Sequence, residues 1–389
     1  MAERLPAAPW TQRADLAALV AALGAENMRW VGGAVRDTLL GHEVRDVDAA
    51  TTLLPDAVID RCREAGIRTV PTGIDHGTVT AVLESGPVEI TTLRRDVATD
   101  GRRATIAFAT EWREDAARRD FTINALFAHP ETLEIDDYFG GLEDLAARRV
   151  RFIGDAEQRI REDHLRILRY FRFQARFGAE LDGEAEAACA ELADTMKGLS
   201  RERIAAELLA LLALPEPQDT VARMHTLGVL QVVVPEATRG TVTALGALVQ
   251  SEQAQGFAPA PIRRLAALLP PIACVAETVA ARLRLSKAQR ARIVSLAERQ
   301  PGDAGRPRAL AYEEGVAEAI DRILLGGSDA RGLDGWEPPT LPLKGGEIVE
   351  RGLATGPGVA KLLQAVERRW VAEGFPDRAR VQQILGELT

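Results

Sequence analysis

Cysteine is scarce in this chain of 389 residues, and long apolar runs are missing from it. Its three cysteines, Cys62, Cys189 and Cys274, are widely spaced and have no nearby histidine. Isolated cysteines in odd number predict a reducing compartment and argue against a zinc site. Because no run of about 18 uncharged apolar residues occurs, no transmembrane helix and no membrane association are expected. The first residues also lack a basic stretch followed by an apolar core, so we expect no signal peptide and a cytoplasmic protein.

Lysine is equally rare, since only four of the 48 basic residues are lysines, and the net charge is −9. A negative net charge does not exclude nucleic-acid binding, because binding follows the local charge of a surface patch. Arginine suits bidentate contacts with phosphates and bases. A GC-rich genome produces the same arginine bias through codon usage. Only the placement of the arginines separates the two explanations.

A strand–turn–helix pattern spans residues 28–41, MRWVGGAVRDTLLG. Gly32 and Gly33 end a short apolar run and open a helix. Glycines let backbone N–H groups approach phosphates at a helix N-terminus. The pattern therefore predicts a cradle for a triphosphate, with a simple turn as the alternative.

Acidic residues follow this cradle at the spacing of a strand. Asp46 and Asp48 would share one face, because residues i and i+2 of a strand do so. Two carboxylates on one face can hold the paired divalent ions of phosphoryl-transfer enzymes, with a solvated surface as the alternative. Glu89 lies within the strand pattern PVEITT, where a carboxylate is unfavourable unless it faces solvent or a partner. It is a candidate for a supporting role beside the aspartates, and solvent exposure explains it equally well.

The order of elements favours an α+β fold with a small mixed sheet. A helix over residues 54–66 is predicted to begin at a proline and end at a glycine. The next segments are rich in Val, Ile and Thr and are predicted to be strands, at residues 67–70, 78–83 and 88–93. One early helix followed by hairpins argues against a doubly wound sheet. From residue 216 onward the pattern predicts helices interrupted by Pro and Gly, without an internal repeat.

Two long helices are predicted between these regions, at residues 112–127 and 155–178. In the first, Asp120 and Asn124 are spaced i,i+4, and we interpret them as a structural brace. In the second, an apolar stripe that includes Leu165 and Leu168 faces away from a polar stripe. The members of that polar stripe are Asp163, Arg166, Arg169 and Arg172. A solvated face with salt bridges is the alternative interpretation of the stripe.

Two segments flank the predicted helices. Residues 96–103 are polar, contain a glycine and are predicted to be a loop. Residues 195–213 are predicted to form a helix capped by Ser200, and we interpret that helix as scaffold.

The segments GGAVRDTLLG, RDVDAAT, RRDFTINA and EDHLR, in this order, resemble the motifs of class II tRNA nucleotidyltransferases. These are the CCA-adding enzymes and their bacterial poly(A) polymerase relatives, in the DNA polymerase beta-type superfamily. The resemblance is strong over about residues 28–215 and implies a nucleotidyltransferase head followed by an all-α neck, body and tail. We predict the head at 1–150, a helical neck with a base-reading helix at 151–215, and a tRNA-binding body and tail at 216–389.

The resemblance implies addition of CCA to the 3′ end of tRNA from CTP and ATP, with Mg²⁺ at Asp46 and Asp48. Asp163 would accept from the exocyclic amine of C or A, and Arg166 would donate to the neighbouring acceptor. Uracil and guanine present the opposite order of donor and acceptor. The implied nucleotide contacts are Gly32, Gly33, Arg36, Arg119, Asp163, Arg166, Arg169 and Arg172. The loop at 96–103 would be mobile and needed for the final A.

Three other functions fit part of the pattern. A poly(A) polymerase is disfavoured because residues 73–79, GIDHGTV, stand where those enzymes have a basic stretch. A partial enzyme would add only CC or only A. An inactive RNA-binding module is disfavoured by the intact acidic and base-reading motifs. No His-Asp pair of the HD type occurs in the second half, so we expect no added phosphohydrolase domain. The sequence does not indicate an oligomeric state.

Overall fold

The computed structural model describes residues 3–99, 104–352 and 354–389. Within these residues a mixed sheet of seven strands and a separate two-stranded hairpin form. The strands are β1 (Met28–Val31), β2 (Val47–Thr51), β3 (Arg68–Gly73), β4 (Thr78–Leu83), β5 (Gly86–Thr92), β6 (Arg94–Thr99), β7 (Ala104–Phe108), β8 (Leu126–Ala128) and β9 (Ile135–Asp137). The sheet order is β3-β4-β5-β2-β1-β8-β9, with β2 and β5 parallel and the other neighbours antiparallel. The predicted mixed sheet and α+β class are confirmed.

Seven helices surround or follow this sheet in the described residues. They are α1 (Ala14–Leu23), α2 (Gly33–Leu39), α3 (Pro55–Glu64), α4 (Trp112–Ala117), α5 (Gly141–Ala146), α6 (Ala156–Glu162) and α7 (Arg166–Phe177). Short 3-10 helices occupy Pro9–Gln12, Ala25–Asn27, Ile74–His76 and Thr122–Asn124. Helix α3 begins at its proline, as predicted, because the fixed φ of proline suits the first helical position.

The glycine-rich stretch forms the predicted strand, turn and helix. Gly32 joins β1 to α2 with φ +66°, a conformation that favours glycine, and Gly33 is the first helical residue. Val31 at the end of β1 is buried in a core cluster with Ala50 of β2 and Phe127 of β8. Burial of Val31 in the core of the sheet therefore fixes the position of the turn that follows it.

The helix predicted over residues 112–127 is wrong beyond Ala117. The Asp120 carboxylate accepts from the Phe121 backbone N–H and from the Asn124 side-chain amide, both at 2.9 Å. Such local side-chain bonds compete with helix formation. Phe127 then belongs to β8, which pairs with β1. The predicted brace between Asp120 and Asn124 is confirmed, although it lies outside a helix.

The single helix predicted over residues 155–178 is also wrong, because α6 and α7 are separate. The backbone at Asp163 is extended, with φ −148° and ψ 105°. One Asp163 carboxylate oxygen accepts from the Leu165 N–H at 3.1 Å, a bond that a continuous helix does not make. The predicted apolar stripe holds, since Leu165, Leu168 and Phe171 are all buried. Asp163 precedes α7 and therefore does not share the helical stripe of the arginines.

The loop predicted at residues 96–103 is wrong for residues 96–99. These belong to β6, which pairs with β7 in an antiparallel hairpin. Residues 100–103 lie outside the described residues. Pairing between two neighbouring segments decided the structure, although neither segment has a clear alternation of apolar and polar residues.

The chain divides into two compact units, residues 1–211 with 223–233, and residues 212–222 with 234–389. The described residues from 216 onward form helices and turns, as predicted. The remaining helices are α8 (Gly183–Glu191), α9 (Arg201–Leu212), α10 (Gln218–Thr226), α11 (Val229–Val233), α12 (Arg239–Gln255), α13 (Pro261–Ala267), α14 (Ala273–Arg282), α15 (Lys287–Ala297), α16 (Pro307–Glu314), α17 (Val316–Leu325), α18 (Gly345–Glu350), α19 (Pro357–Ala372) and α20 (Arg378–Glu387), with 3-10 turns at Ala193–Gly198, Asp303–Gly305 and Arg331–Leu333. The boundaries predicted near residues 150 and 215 stay predictions. Over the ranges described, no helix is both long and apolar enough to cross a bilayer.

A buried charge cluster holds α12 and α13 of the second unit together. Glu252 is 1% exposed and pairs with Arg263 at 2.6 Å and with Arg264 at 2.7 Å. Arg264 also donates to the backbone oxygen of Leu212 at 2.8 Å. Arg263 also pairs with buried Asp321 of α17 at 2.8 Å, so two guanidinium groups and two carboxylates are buried together.

Glu252→Gln is expected to lower the free energy of unfolding by about 3–5 kcal/mol, because it leaves the buried Arg264 guanidinium without its carboxylate partner. Chemical denaturation followed by circular dichroism measures the change. Glu337→Gln is the control, since Glu337 is exposed. Equal stability of the Glu252 and Glu337 variants would contradict the prediction.

Candidate active site

A cleft of about 600 Å³ lies in the first unit and gathers most of the predicted site residues. Residues from the glycine turn, from β2 and β5, from the segment after α4 and from the α6–α7 region line it. The predicted residues among its walls are Gly32, Gly33, Arg36, Asp48, Glu89, Arg119, Asp163, Arg166 and Arg169. Asp46 and Arg172 are not among the lining residues. Segments that are far apart in the chain, from Val31 to Phe173, thus meet in one space.

The acidic wall of the cleft is built by the parallel pair of β2 and β5. Asp48 and Glu89 are direct partners in this register. Burial raises the pKa of the Asp48 carboxyl, the Glu89 and Asp46 charges raise it further, and the Arg119 charge opposes them. Asp46 is exposed and lies one residue before β2, and Glu89 is also exposed. Glu89 and Asp46 are therefore each close enough to repel the Asp48 carboxylate.

This wall has the donors that a hard divalent cation prefers, because all three residues offer carboxylate oxygens. The repulsion of Asp48 by Glu89 and Asp46 is also what a bound cation would relieve. Within the described residues, no group of three His, Cys, Asp or Glu side chains already stands at the spacing of a closed metal site. The donor chemistry fits a site completed by other oxygen ligands, such as substrate phosphates.

The basic wall is formed by the glycine turn and the segment after α4. Arg119 lies beside the turn, since a Cβ atom on Gly32 would stand 3.4 Å from the Arg119 Nη1. Buried Asp115 pairs with Arg118 at 2.7 Å and with Arg119 at 3.1 Å. Burial raises the pKa of Asp115, but the charges of Arg119 and Arg118 lower it more, so the net shift is downward. In the part of the chain that the structure describes, the buried Arg119 Nε has no hydrogen-bond partner.

Arg36 is more deeply buried than the sequence suggested, with 4% exposure. Its Nε donates to Asp37 at 2.8 Å and its Nη1 donates to the Asn124 side-chain oxygen. The guanidinium also lies over the rings of Phe173 and Phe177, at 5.2 and 4.4 Å. Arg36 thus lines the cleft while it connects α2, the segment after α4, and α7.

Asp163 and Arg166, which the sequence predicts to be a base-reading pair, line the cleft together. The second Asp163 carboxylate oxygen accepts from Arg203 at 2.7 Å. Arg166 donates to Glu162 at 2.7 Å and to the Arg118 backbone oxygen at 2.9 Å. Both members are therefore fixed by neighbours from other elements before any ligand is bound.

Two further arginines of α7 differ in their surroundings. Arg169 pairs with Asp120 at 2.6 Å. Burial lowers the pKa of Arg169, but the charges of Asp120 and Glu207 raise it more, so the net shift is upward. Arg172 donates to Glu207 of α9 at 2.6 Å and lies over the Phe173 ring. Arg169 is part of the cleft wall, whereas Arg172 connects α7 to α9.

Some lining residues were not singled out by sequence. They are Arg118, Thr91, Arg94 and Phe173, among others. Arg118 stands next to Arg119 in the RRDFTINA motif, which was the available signal. Burial lowers the pKa of Arg118 to about 10 despite its pairing with Asp115. No sequence signal indicated Arg94, because its position depends on the hairpin.

Family models match two stretches of the chain. The model described as the poly A polymerase head domain matches residues 28–151. A second model, described as a probable RNA and SrmB-binding site of polymerase A, matches residues 178–240. The first match covers the sheet and the segments that form the acidic and basic walls.

Curated relatives match most of the chain. The mitochondrial CCA tRNA nucleotidyltransferase 1 of Mus musculus is 35% identical over 367 residues, which are 90% of this chain and 83% of that protein. The protein of the same name from Homo sapiens is 33% identical over 368 residues, with the same shares. A CCA-adding enzyme of Levilactobacillus brevis is 41% identical over 204 residues, 52% of this chain and 50% of that enzyme.

Solved structures show the same fold. The CCA-adding enzyme of Bacillus stearothermophilus in complex with CTP gives a TM-score of 0.71 at 26% identity and covers 94% of both chains. The Thermotoga maritima CCA-adding enzyme complexed with tRNA gives a TM-score of 0.73 at 21% identity, over 96% of this chain and 94% of that chain.

Proposed function

We propose, from the premise that this chain belongs to the CCA-adding tRNA nucleotidyltransferases, that it adds CCA to tRNA 3′ ends from CTP and ATP. No nucleic-acid template is needed for this addition. The observation that supports the proposal most directly is the meeting of three kinds of group in one cleft. A glycine turn with arginines, a pair of carboxylates, and the base-reading pair all line the same space of about 600 Å³.

The basic wall would bind the triphosphate. Backbone N–H groups at the start of α2 suit phosphate oxygens. Arg119 lies beside the Gly32 turn, and its buried Nε is left without a partner in the described part of the chain. A phosphate oxygen would supply the missing acceptor, and guanidinium–phosphate bonds are among the stronger hydrogen bonds.

Nucleotidyltransferases of this family use a divalent metal ion, and we propose that it is Mg²⁺, held by Asp46 and Asp48, with Glu89 in a supporting role beside them. When bound, the metal lowers the charge barrier for attack by the RNA 3′-hydroxyl and for departure of pyrophosphate. The protein needs no nucleophile of its own for this transfer. Its carboxylates bind and orient, and their repulsion keeps the site poised for a cation.

The base-reading pair would select the nucleotide. Cytosine and adenine both present an amine beside a ring acceptor, which complements the carboxylate of Asp163 and the guanidinium of Arg166. The neighbours of the pair, Arg203, Glu162 and the Arg118 carbonyl, would keep the two groups in place during each addition.

We also propose that the protein acts in the cytoplasm. Cys62 and Cys189 are free and buried, and Cys274 is free and exposed, which fits a reducing compartment. The vertebrate relatives are named as mitochondrial proteins. Fractionation of cells expressing a tagged chain distinguishes the two locations, and a signal confined to an organelle would overturn this part.

The function is tested by incubating the purified protein and Mg²⁺ with tRNA lacking its 3′ CCA. We expect addition of two C residues from CTP and one A from ATP, and little incorporation of UTP or GTP. Chelation of divalent ions should stop the reaction. A tRNA that already ends in CCA is the control and should gain no nucleotide.

Other products would point to the alternative functions. A long A tail would indicate a poly(A) polymerase. Addition that stops after CC, or that requires CC to be present, would indicate a partial enzyme. Binding of tRNA without incorporation of any nucleotide would indicate an inactive RNA-binding module.

A further inference from the structure

The hairpin of β6 and β7 places a half-exposed aromatic ring at the rim of the cleft. Phe108 ends β7, is 45% exposed and pairs directly with Arg94, the first residue of β6. Directly opposed residues of an antiparallel pair project to the same face. Arg94 lines the cleft. The Phe108 ring therefore lies on the hairpin face that includes the cleft wall.

One side of the ring is fixed by backbone. A Cβ atom on Gly77 would stand 2.9 Å from Phe108 Cε1, so the ring packs directly over this glycine. Gly77 in turn accepts from the Thr92 N–H at 2.9 Å, which connects it to β5 next to the cleft residue Thr91. The ring is thus held where β4 begins and β5 ends, with much of its surface still open to solvent.

The side of the cleft formed by the end of β5 and by Arg94 is left for the RNA acceptor, because the other walls would bind the incoming nucleotide. The glycine turn and Arg119 would take the triphosphate, and the base-reading pair would take the base. In-line displacement requires the attacking 3′-hydroxyl to approach the α-phosphate opposite the leaving pyrophosphate. From Glu89 the wall continues along β5 to Thr91 and then to Arg94.

We propose that Phe108 is a stacking surface for the base of the acceptor's 3′-terminal nucleotide, with Arg94 beside its phosphate. This inference rests on the proposed function. An isolated exposed apolar side chain is common and needs no explanation. Here the ring adjoins a cleft lined by Arg94, Arg118 and Arg119, whose charge complements RNA. A flat aromatic face binds any base, which suits an acceptor whose last nucleotide changes after each addition.

Phe108→Ala is expected to raise the KM for the tRNA acceptor roughly 5- to 150-fold, the range found when one base loses its stacking partner. The KM for CTP should stay unchanged. Phe108→Trp should retain the acceptor KM because it keeps a flat ring. Phe108→Leu keeps an apolar contact with Gly77 but loses the ring, and should behave like Phe108→Ala.

An acceptor with an abasic 3′-terminal nucleotide separates stacking from a structural role. If the ring stacks on the base, wild type and Phe108→Ala should have the same KM for the abasic acceptor. An equal rise in KM for normal and abasic acceptors would show that Phe108 only supports the hairpin, and would overturn the inference. An unchanged KM for the normal acceptor in Phe108→Ala would overturn it as well.

Val82→Ala is the matched control, because Val82 is also a half-exposed apolar residue on a strand, 40% exposed on β4 of the seven-stranded sheet. It should leave the acceptor KM unchanged, and a rise equal to that of Phe108→Ala would again contradict stacking. Failure of the wild type to add CTP to the normal acceptor would contradict the proposed function instead. The two failures are therefore distinguishable.

Discussion

Asp48→Asn is expected to reduce the rate of nucleotide addition by about three orders of magnitude or more while tRNA binding persists. Metal-ion catalysis supplies several kcal/mol of transition-state stabilisation, and each 1.4 kcal/mol corresponds to about a tenfold rate change. Binding of tRNA depends on other groups, so its Kd should change little. Single-turnover addition of CTP measures the rate, and filter binding measures the Kd. Asp46→Asn should behave in the same way.

Glu84→Gln is the control for this experiment, because Glu84 is an exposed carboxylate in the turn between β4 and β5. Its rate should match that of the wild type. Near-normal turnover by either aspartate variant would refute the metal assignment.

The stability of Asp48→Asn provides a second check. Burial, followed by the charge of Glu89, raises the pKa of Asp48 in the folded protein. A carboxylate with a raised pKa destabilises the folded state when it is ionised, and the cost is fully present at pH values above the folded pKa. In a chelating buffer at neutral pH, asparagine removes this cost. The Tm of Asp48→Asn should therefore equal or exceed that of the wild type, so that lost activity cannot be ascribed to unfolding.

Asp163→Ala and Arg166→Lys are expected to lower the rates with CTP and ATP and to narrow their advantage over UTP and GTP. A buried polar group left without a partner costs about 1–3 kcal/mol, or roughly one to two decades of selectivity. At Arg166, lysine is a better substitution than alanine, because the Arg166 side chain also donates to Glu162 and to the Arg118 carbonyl. Lysine keeps the charge and loses the planar pair of donors.

Single-turnover incorporation of each of the four nucleotides measures this selectivity. Arg161→Ala is the control, since Arg161 forms an exposed pair with Glu157 on α6. Exposed pairs contribute about 0–1 kcal/mol to stability and nothing to base choice. Unchanged preference for C and A in both base-reading variants would remove the main mechanistic support for selection by Asp163 and Arg166.

Local chemistry allowed much of the head to be predicted. The Gly32–Gly33 turn, the start of α3 at a proline and the strand Thr78–Leu83 all depend on residues close together in sequence. The ends of the two long helices were predicted wrongly, although they too depend on neighbouring residues. Asp120 and Asp163 each bond to a nearby backbone N–H, and these bonds interrupt a pattern that is otherwise helical. Apolar periodicity continues through such a break and does not indicate it.

The candidate site shows the same limit. Nine of the predicted residues line one cleft. They could be predicted because their motifs were recognised together and in order. Asp46 and Arg172 lie outside the lining of the cleft. Asp46 precedes β2 and is exposed, and Arg172 bonds to Glu207 of α9, and neither fact can be predicted from the motifs. Arg94 and Phe108 depend on pairing within a hairpin that composition did not indicate. Pairing partners across the sheet are properties of the whole fold and leave no local signature.

The path of the chain between its two units limits how this gene can recombine. The chain leaves the first unit after residue 211, returns for residues 223–233 and then leaves again. A single genetic crossover anywhere in residues 212–233 would therefore give a chimera in which at least one unit has mixed parentage. To exchange one whole unit between two related enzymes, the chimera needs junctions at all three points where the chain passes between units, after residues 211, 222 and 233. Inheritance should thus keep the two units together, and libraries of chimeric enzymes are best cut at these three positions in combination.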